Sequence, residues 1–462
     1  MDTMGETFSG LIARLFKRVH VGSDTRGGAG AKHSVTNVAR CAAVLTVNAT
    51  ATARDAAVDQ LLADVQATLS GGGDVEQAFL AATCLGEIGR RVDLVASHGD
   101  GLFSTLLSAS DSGAEDVKTA AAFALGGVCV GNMEAGLPVL QRELESGAHS
   151  TYLLLSALRE VLSQHGTGFD VTPFGGSVMP ILTAHCSHED EGVRNMTAEC
   201  LGKLAAVSPE KIVSLLAEMA GDADVSTRWT VATALKYAVV SPATTPYLAE
   251  SISQLLSGLT DADIGVRRAA LLSLNAVVHH RVAVVRPFLR GGESKDGPEE
   301  EESKGGASGD VDMEGGAAYT GASIEELGVF PVLYSAMELT LKREVDLGPF
   351  KHKIDDGLPL RKAAFSCMDS ILECALERVN AGAFIARLIA GLKDVDDVKM
   401  LCHQLVSKLC AWPVWQRHVL ANLKGIVSGL HDAFKALDAR SAAKKADASN
   451  DFIRSALRAV DA

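Results

Sequence analysis

At 462 residues the chain is about three times the usual single-domain length, so it is either several domains or one array of small units. Apolar residues make up 47% against 22% charged, which excludes disorder of the whole chain, and 57 acidic against 43 basic residues give a formal net charge of -14, which argues against nucleic-acid or anionic-membrane binding. Nine cysteines with no C-x-x-C pair fit free thiols, and the lack of a signal-like start or a long apolar run points to a soluble, cytoplasmic or nuclear protein.

In chain order, one phrase recurs: an acidic turn, a small apolar residue, a cation, then an Ala-rich helix in which the residue seven beyond the cation is apolar. Degenerate copies come first, Val38 with Leu45 and Ala78 with Leu85-Gly86. Between them, Gly71-Gly72-Gly73 runs into Asp74-Val75 rather than Lys-Ser, so it reads as a loop and not a phosphate cradle. Clear copies follow at Glu115-Asp116-Val117-Lys118 with Leu125-Gly126 and, after a degenerate Thr151 with Leu158, at Glu191-Gly192-Val193-Arg194 with Leu201-Gly202. Next come Asp224 to Arg228 with Leu235 and Asp263 to Arg267 with Leu274. Seven residues is two helical turns, so these are second helices of helical hairpins. The steps between Val38, Ala78, Lys118, Thr151, Arg194, Arg228 and Arg267 are 40, 40, 33, 43, 34 and 39 residues, the spacing of HEAT and armadillo units. The expected fold is all-α, a HEAT-like α-solenoid of about ten helical hairpins. Its acidic turns should favour helix N-termini, and its cations should form a charge ladder between repeats.

After Arg267 the period breaks, and the next copy is Arg361 with Met368. Residues 291–322 are Gly, Ser and acid, with nine acidic and two basic residues, and read as a disordered insert, either a solvated spacer or a lure for a basic partner. A helix is expected around Ile324 to Met337. Beyond it, Val345 and Leu347 alternate with Asp346, and Phe350, His352 and Ile354 alternate with Lys351 and Lys353, on either side of Gly348-Pro349. Period two about a turn, closed by Asp355-Asp356-Gly357, describes a β-hairpin over about 341–357, with a plain inter-helix connection as the other reading. The division expected is a HEAT-repeat array over 1–290, the insert over 291–322, and a C-terminal HEAT-like domain over 323–462 that carries the hairpin. The phrase returns once more at Asp396-Asp397-Val398-Lys399 with Val406.

No Walker, nucleophile-elbow, H-E-x-x-H or dinucleotide motif is present, so no catalytic residue, cofactor or metal is assigned. His185, Cys186, His188, Glu189 and Asp190 lack a second ligand pair at a matched distance and read as a helix end with its following turn. Cys367 with Cys374, and Cys402 with Cys410, have two-turn spacing and are expected to face the core. Trp412-Pro413-x-Trp415 is expected to pack at a repeat elbow.

The run Arg343 to His352, followed by Ile354-Asp355-Asp356-Gly357-Leu358 and Arg361-Lys362-Ala363-Ala364-Phe365, resembles the C-terminal domain of the cullin-associated neddylation-dissociated proteins. So do Leu85 to Gly89, Tyr152 to Leu155, Arg194-Asn195 with Ala198 to Leu204, and Arg454-Ser455-Ala456 with Arg458-Ala459-Val460, in the same order. The resemblance implies a non-enzymatic regulator of cullin-RING ubiquitin ligases. Such a protein binds a cullin with its RING subunit and sends a β-hairpin into the site of the substrate-receptor adaptor, so that receptors exchange. It further implies a partner-binding set of Val345, Asp346, Leu347, Gly348, Pro349, Phe350, Lys351, His352, Lys353, Ile354, Asp355, Asp356 and Gly357. Of these, Leu347, Phe350 and Ile354 would be apolar contacts, Lys351, His352 and Lys353 the rim, and Asp355 to Gly357 the turn back into the solenoid. Family members are much longer, so the chain is expected to be a fragment, a split protein or a reduced homologue. The rival class is a generic HEAT scaffold, such as a transport adaptor or phosphatase subunit, which would need no hairpin.

Overall fold

The computed structural model describes residues 29–166, 171–291, 319–346, 351–441 and 449–462. The chain divides into two compact units, Met1–Pro209 and Glu210–Ala462. In the first, helices run Ala29–Val47, Ala51–Leu69, Val75–Gly89, Val95–Ser110, Glu115–Gly131, Met133–Ser146, Thr151–Ser163, Gly175–Ala184 and Glu191–Val207. The helices that carry the recurring phrase, Val75–Gly89, Glu115–Gly131, Thr151–Ser163 and Glu191–Val207, pack on one another in that order. The intervening helices form a second layer, with Ala51–Leu69 against Val95–Ser110 and Met133–Ser146 against Gly175–Ala184. This is the two-layer stack of a HEAT-like solenoid, in which no helical pair can bury its apolar face alone.

Four of the acidic turns supply N-caps, while Glu115-Asp116 and Asp396-Asp397 place their charge in the first turn of the helix without a side-chain cap. Asp74, Asp190, Asp224 and Asp263 accept backbone N–H bonds from Glu76, Val193, Thr227 and Val266 at 3.1, 3.1, 2.7 and 2.9 Å. Each satisfies an orphan donor and places negative charge at a helix N-terminus. The small residues of the Leu-Gly pairs set how closely the second helices approach. A Cβ on Gly127 would lie 2.2 Å from the Gly86 carbonyl oxygen, so the helix Glu115–Gly131 meets Val75–Gly89 backbone to backbone.

In the second unit the helices are Pro209–Met219, Val225–Ala238, Thr245–Leu255, Ile264–Val285, Ile324–Leu327, Val329–Glu338, Leu358–Cys374, Ala381–Gly391, Asp396–Ala411, Pro413–Ala421, Leu423–Ser441 and Ser449–Asp461. Ile264–Val285 packs directly on Leu358–Cys374, which packs on Asp396–Ala411. The stack of second helices therefore runs straight through the interruption in the repeat. Of the acidic insert, residues 292–318 lie outside the described residues, but the chain that follows them is held in place. The Gly321 N–H donates to the Thr260 carbonyl at 2.9 Å, and the Thr260 hydroxyl to the Ala322 carbonyl at 2.8 Å.

Three expectations need correction. The helix foreseen over Ile324 to Met337 is two helices broken at Gly328, whose φ of 75° and close approach to the Arg290 carbonyl exclude any side chain. As for the inter-repeat charge ladder, among the described residues the repeat's own cation forks onto an acid of the next repeat at Arg228 and Arg361. Arg228 forks onto Asp261 with Nε and Nη2 at 2.7 and 3.1 Å, and Arg361 forks onto Asp394 at 2.7 and 3.0 Å. Elsewhere the cation has a nearer partner: Arg194 Nη1 donates to the His188 and Glu189 carbonyls of its own turn, and Lys118 meets Glu115 at 3.5 Å. Of the paired cysteines, Cys367 and Cys402 are in the core, whereas Cys374 and Cys410 are only half-buried. The eight-residue step from Cys402 turns Cys410 by about 800°, which is about 80° past two full turns and out of the core stripe, whereas Cys374 keeps the stripe's direction but is the last residue of its helix.

The remaining singled-out residues are structural. All nine cysteines are free, and burial pushes Cys129 up to about 12, far from a reactive thiolate. His188 Nδ1 accepts from the Asp190 N–H and His185 Nδ1 contacts the Ile181 carbonyl, so the turn's own backbone occupies both rings. Trp415 is buried edge-to-face against Phe384 with ring centroids 6.2 Å apart. The last helix docks on Asp396–Ala411 through buried Phe452, Ala456 and Ala459 and through His403, which is fully buried with Nδ1 2.8 Å from the Ser455 hydroxyl. Burial, reinforced by Lys399, pushes His403 down to about 4.

Two outcomes are expected. Gly127→Ala should destabilise the first unit by about 1–3 kcal/mol, because the added methyl has no room to relax into; denaturant unfolding measures this. Acid should weaken the chain in two windows. His403 is neutral when folded, so its contribution is complete above about pH 6.5 and is lost as pH falls toward its lowered value. Burial alone would raise the Asp261 carboxyl, but the Arg228 hydrogen bond and the Asp263 N–H outweigh it and hold Asp261 low. Its contribution is complete above about pH 4 and is lost below that. Unfolding midpoints followed against pH should lose the first window in His403→Gln and part of the second in Asp261→Asn.

Candidate partner-binding hairpin

The described residues contain one β-sheet, formed by β1 (Lys342–Asp346) and β2 (Lys351–Asp355) between the helices Val329–Glu338 and Leu358–Cys374. The strands are antiparallel, with Lys342 opposite Asp355, Arg343 opposite Ile354, Glu344 opposite Lys353, Val345 opposite His352, and Asp346 opposite Lys351. That register is symmetric about the Gly348-Pro349 step in the sequence. Leu347, Gly348, Pro349 and Phe350 themselves lie outside the described residues. The register sets Lys342 opposite Asp355 and Glu344 opposite Lys353, and Glu344 lies 3.8 Å from Lys353. Each such pair contributes about 0.2–1 kcal/mol, and a two-stranded hairpin is marginal in water on that basis.

What holds it is a joint at its base. Arg361, at the cadence position of the repeat, is 2% exposed. Its Nε and Nη2 donate to Asp394, its Nη1 to the Leu339 carbonyl at 2.7 Å, and Nη2 also lies 2.8 Å from Asp355 Oδ2. The other oxygen of Asp355 accepts the backbone N–H groups of Leu341 and Gly357, both at 3.0 Å. Outside this, the Asp356 N–H donates to the Leu341 carbonyl at 2.9 Å, and Arg343 forks onto the Asp356 carboxylate. Burial would raise Asp355 and lower Arg361, yet their mutual hydrogen bond, with Asp394 and the two N–H donors, holds the acid low and the base high. Both stay charged. Breaking a buried ion pair costs about 3–5 kcal/mol, several times the worth of one cross-strand pair, so the joint decides whether the hairpin stays put.

Beyond its base the hairpin is exposed. Arg343, Glu344, Lys353 and Ile354 face solvent, with Ile354 40% exposed, and Leu341 adds apolar surface at the root. Among the described residues of the hairpin there is no acid–base pair or nucleophile. The arrangement offers a short projecting surface of mixed apolar and basic character. Among the sequence-derived residues the structure brings together Lys353, Ile354, Asp355, Asp356 and Gly357, and it pairs the backbones of Val345 and Asp346 with those of His352 and Lys351. Sequence reasoning missed Leu339, and it read Asp394 only as part of the run Gly391-Leu392-Lys393-Asp394 that resembles the family, with no part in the joint. It placed Arg361 in the repeat and in the run that follows the hairpin, but gave it no part in holding the hairpin, although its position directly after the Asp355-Asp356-Gly357 turn was the available signal.

Residues 326–462, which include the hairpin and its joint, match the family described as TATA-binding protein interacting (TIP20), and residues 178–208 match the HEAT repeat. The chain is 31% identical to cullin-associated NEDD8-dissociated protein 1 of Dictyostelium discoideum, over 100% of this chain and 34% of that protein. It is 34% identical to the protein of that name in Arabidopsis thaliana, over 93% of this chain and 32% of the relative. A protein of Emericella nidulans named the C-terminal part of cullin-associated NEDD8-dissociated protein 1 is 28% identical over 76% of this chain and 30% of its own length. The chain thus spans about a third of the length of these relatives. Among solved structures, yeast importin-beta (Kap95p) aligns over 99% of this chain and 58% of its own, with a TM-score of 0.49 and 14% identity, a distant likeness. With its HEAT-like helical stack and its matched C-terminal region, the chain belongs to the cullin-associated NEDD8-dissociated protein family.

Proposed function

We propose that this chain is a non-enzymatic regulator of cullin-RING ubiquitin ligases. It binds a cullin with its RING subunit and competes with the substrate-receptor adaptor, so that one ligase core exchanges receptors. The observation that carries this reading is the exposed hairpin itself, rooted in a helical repeat by a buried ion pair and lying inside the matched segment 326–462. A projecting strand pair is of no use to the packing of a solenoid, and its apolar and basic surface suits insertion into a partner groove.

In this reading residues 323–462 form the domain that meets the cullin, and Val345 to Gly357 are its contact segment. Ile354 enters an apolar site, Lys351, His352 and Lys353 line the rim, and Asp355 to Gly357 orient the strands. The mechanism is a coupling free energy between two partners that share one cullin, each weakening the other's hold, with no bond made or broken.

The test is a pull-down of a cullin N-terminal region by the full chain, with adaptor titrated against it. Replacing Leu347 to Ile354 by a Gly-Ser linker should weaken competition while leaving the helical circular-dichroism signal unchanged. Ile354→Asp should lower cullin affinity about tenfold or more, the order expected when an anchoring apolar contact is exchanged for a buried charge. Failure of the intact chain to retain cullin, or equal competition by the linker variant, would overturn the proposal.

A further inference from the structure

The contacts of Arg361 gain meaning beside those of Arg194 and Arg228. In both of those repeats the guanidinium reads the turn between the two helices. Arg194 Nη1 donates to the carbonyls of His188 and Glu189, six and five residues earlier, at 2.7 and 2.8 Å. Arg228 Nη1 does the same to Asp222 and Ala223 at 2.9 and 3.0 Å. The other side of the Arg228 fork takes Asp261, 33 residues ahead. Arg361 repeats this scheme: its fork takes Asp394, again 33 residues ahead, and its Nη1 takes a turn carbonyl at 2.7 Å. That carbonyl belongs to Leu339, 22 residues earlier.

The two spacings, 22 and six, differ by sixteen residues. Removing 341–356, which is that length, would put Leu339 six residues before Arg361, where Asp222 stands before Arg228 and His188 before Arg194. We infer that the β-hairpin is an insertion into the inter-helix turn of an otherwise ordinary repeat, and that Arg361 is its positioning residue. The guanidinium keeps its ancestral bonds to the turn and to the next repeat. It adds one bond, to Asp355 Oδ2, that fixes the end of β2. Asp355 passes that constraint on through its second oxygen to the backbone at Leu341 and Gly357, the two points where chain enters and leaves the hairpin. The proposed cullin-binding role supplies only the last readout below; the positioning stands on the geometry alone.

The experiment uses the full chain in three forms: wild type, Asp355→Asn, and an excision of 341–356. Asparagine can still accept the two backbone N–H bonds, so it removes only the ion pair. Hydrogen exchange of the amides in β1 and β2 should speed up about tenfold in Asp355→Asn, while the helix Leu358–Cys374 stays within about twofold of wild type, as for an opening confined to the hairpin. The excision variant should retain the helical circular-dichroism signal and unfold cooperatively. Strand exchange within about twofold of wild type would overturn the positioning role. Equal loss of protection in the strands and in Leu358–Cys374 would also overturn it, because the ion pair would then serve the repeat as a whole. An excision variant without helical signal would overturn the insertion. A cullin N-terminal region is then offered to each form. If the strands loosen as expected while neither variant retains less cullin, the cullin reading fails and the positioning role survives.

Discussion

A guanidinium taken out of water is tolerated only where its donors are met, and Arg361 is nearly sealed from solvent. It meets that demand with three separate parts of the chain: the turn behind it, the acid of the next repeat, and the end of β2. The stack needs the first two of these bonds for its own sake. The hairpin acquires its fixed attachment by adding the third, so the structure that would bind a partner depends on a residue the solenoid already requires.

Such an arrangement works because the interruption never reaches the core. The second helices touch one another through small residues, and Ile264–Val285 packs on Leu358–Cys374 as if nothing lay between them in sequence. Both additions, the acidic insert and the hairpin, enter at connections. Their flanks are pinned to neighbouring backbone, at Thr260 for the insert and at Leu341 for the hairpin. A repeat architecture tolerates this because each unit contacts only its neighbours, leaving the turns free to vary.

Much of the fold was legible in the sequence. Acidic residues at N-caps, the cation and the apolar residue seven later fall where their helices begin and pack, since those relations span only one or two turns. The hairpin's alternation was readable for the same reason, and its register agrees with a turn at Gly348-Pro349. What escaped were relations across longer separations. Nothing near Ile324 shows that Gly328 must pass the Arg290 carbonyl, a contact bridging the insert. Likewise Asp394, 33 residues beyond Arg361, carries no mark that distinguishes it from other acids in turns. The ladder was predicted as a rule, but the fork onto an aspartate 33 residues ahead forms at Arg228 and Arg361; Lys399, with Asp432 at that distance, meets Asp396 of its own turn, and Arg194 turns to its own carbonyls.

The separation between Arg361 and Asp394 also bears on the order in which the chain assembles. The hairpin's own pairing is local and can form within microseconds, but on its own it is marginal. Its clamp is incomplete until the turn after Ala381–Gly391 has delivered Asp394, which requires the following helical pair to have docked. Nucleation of the helices and propagation along the stack must therefore pass Arg361 before the strands are held in their final place. A chain growing from its N-terminus has its projecting element set only when the repeat beyond it is present, so a fixed hairpin reports that this part of the stack is complete.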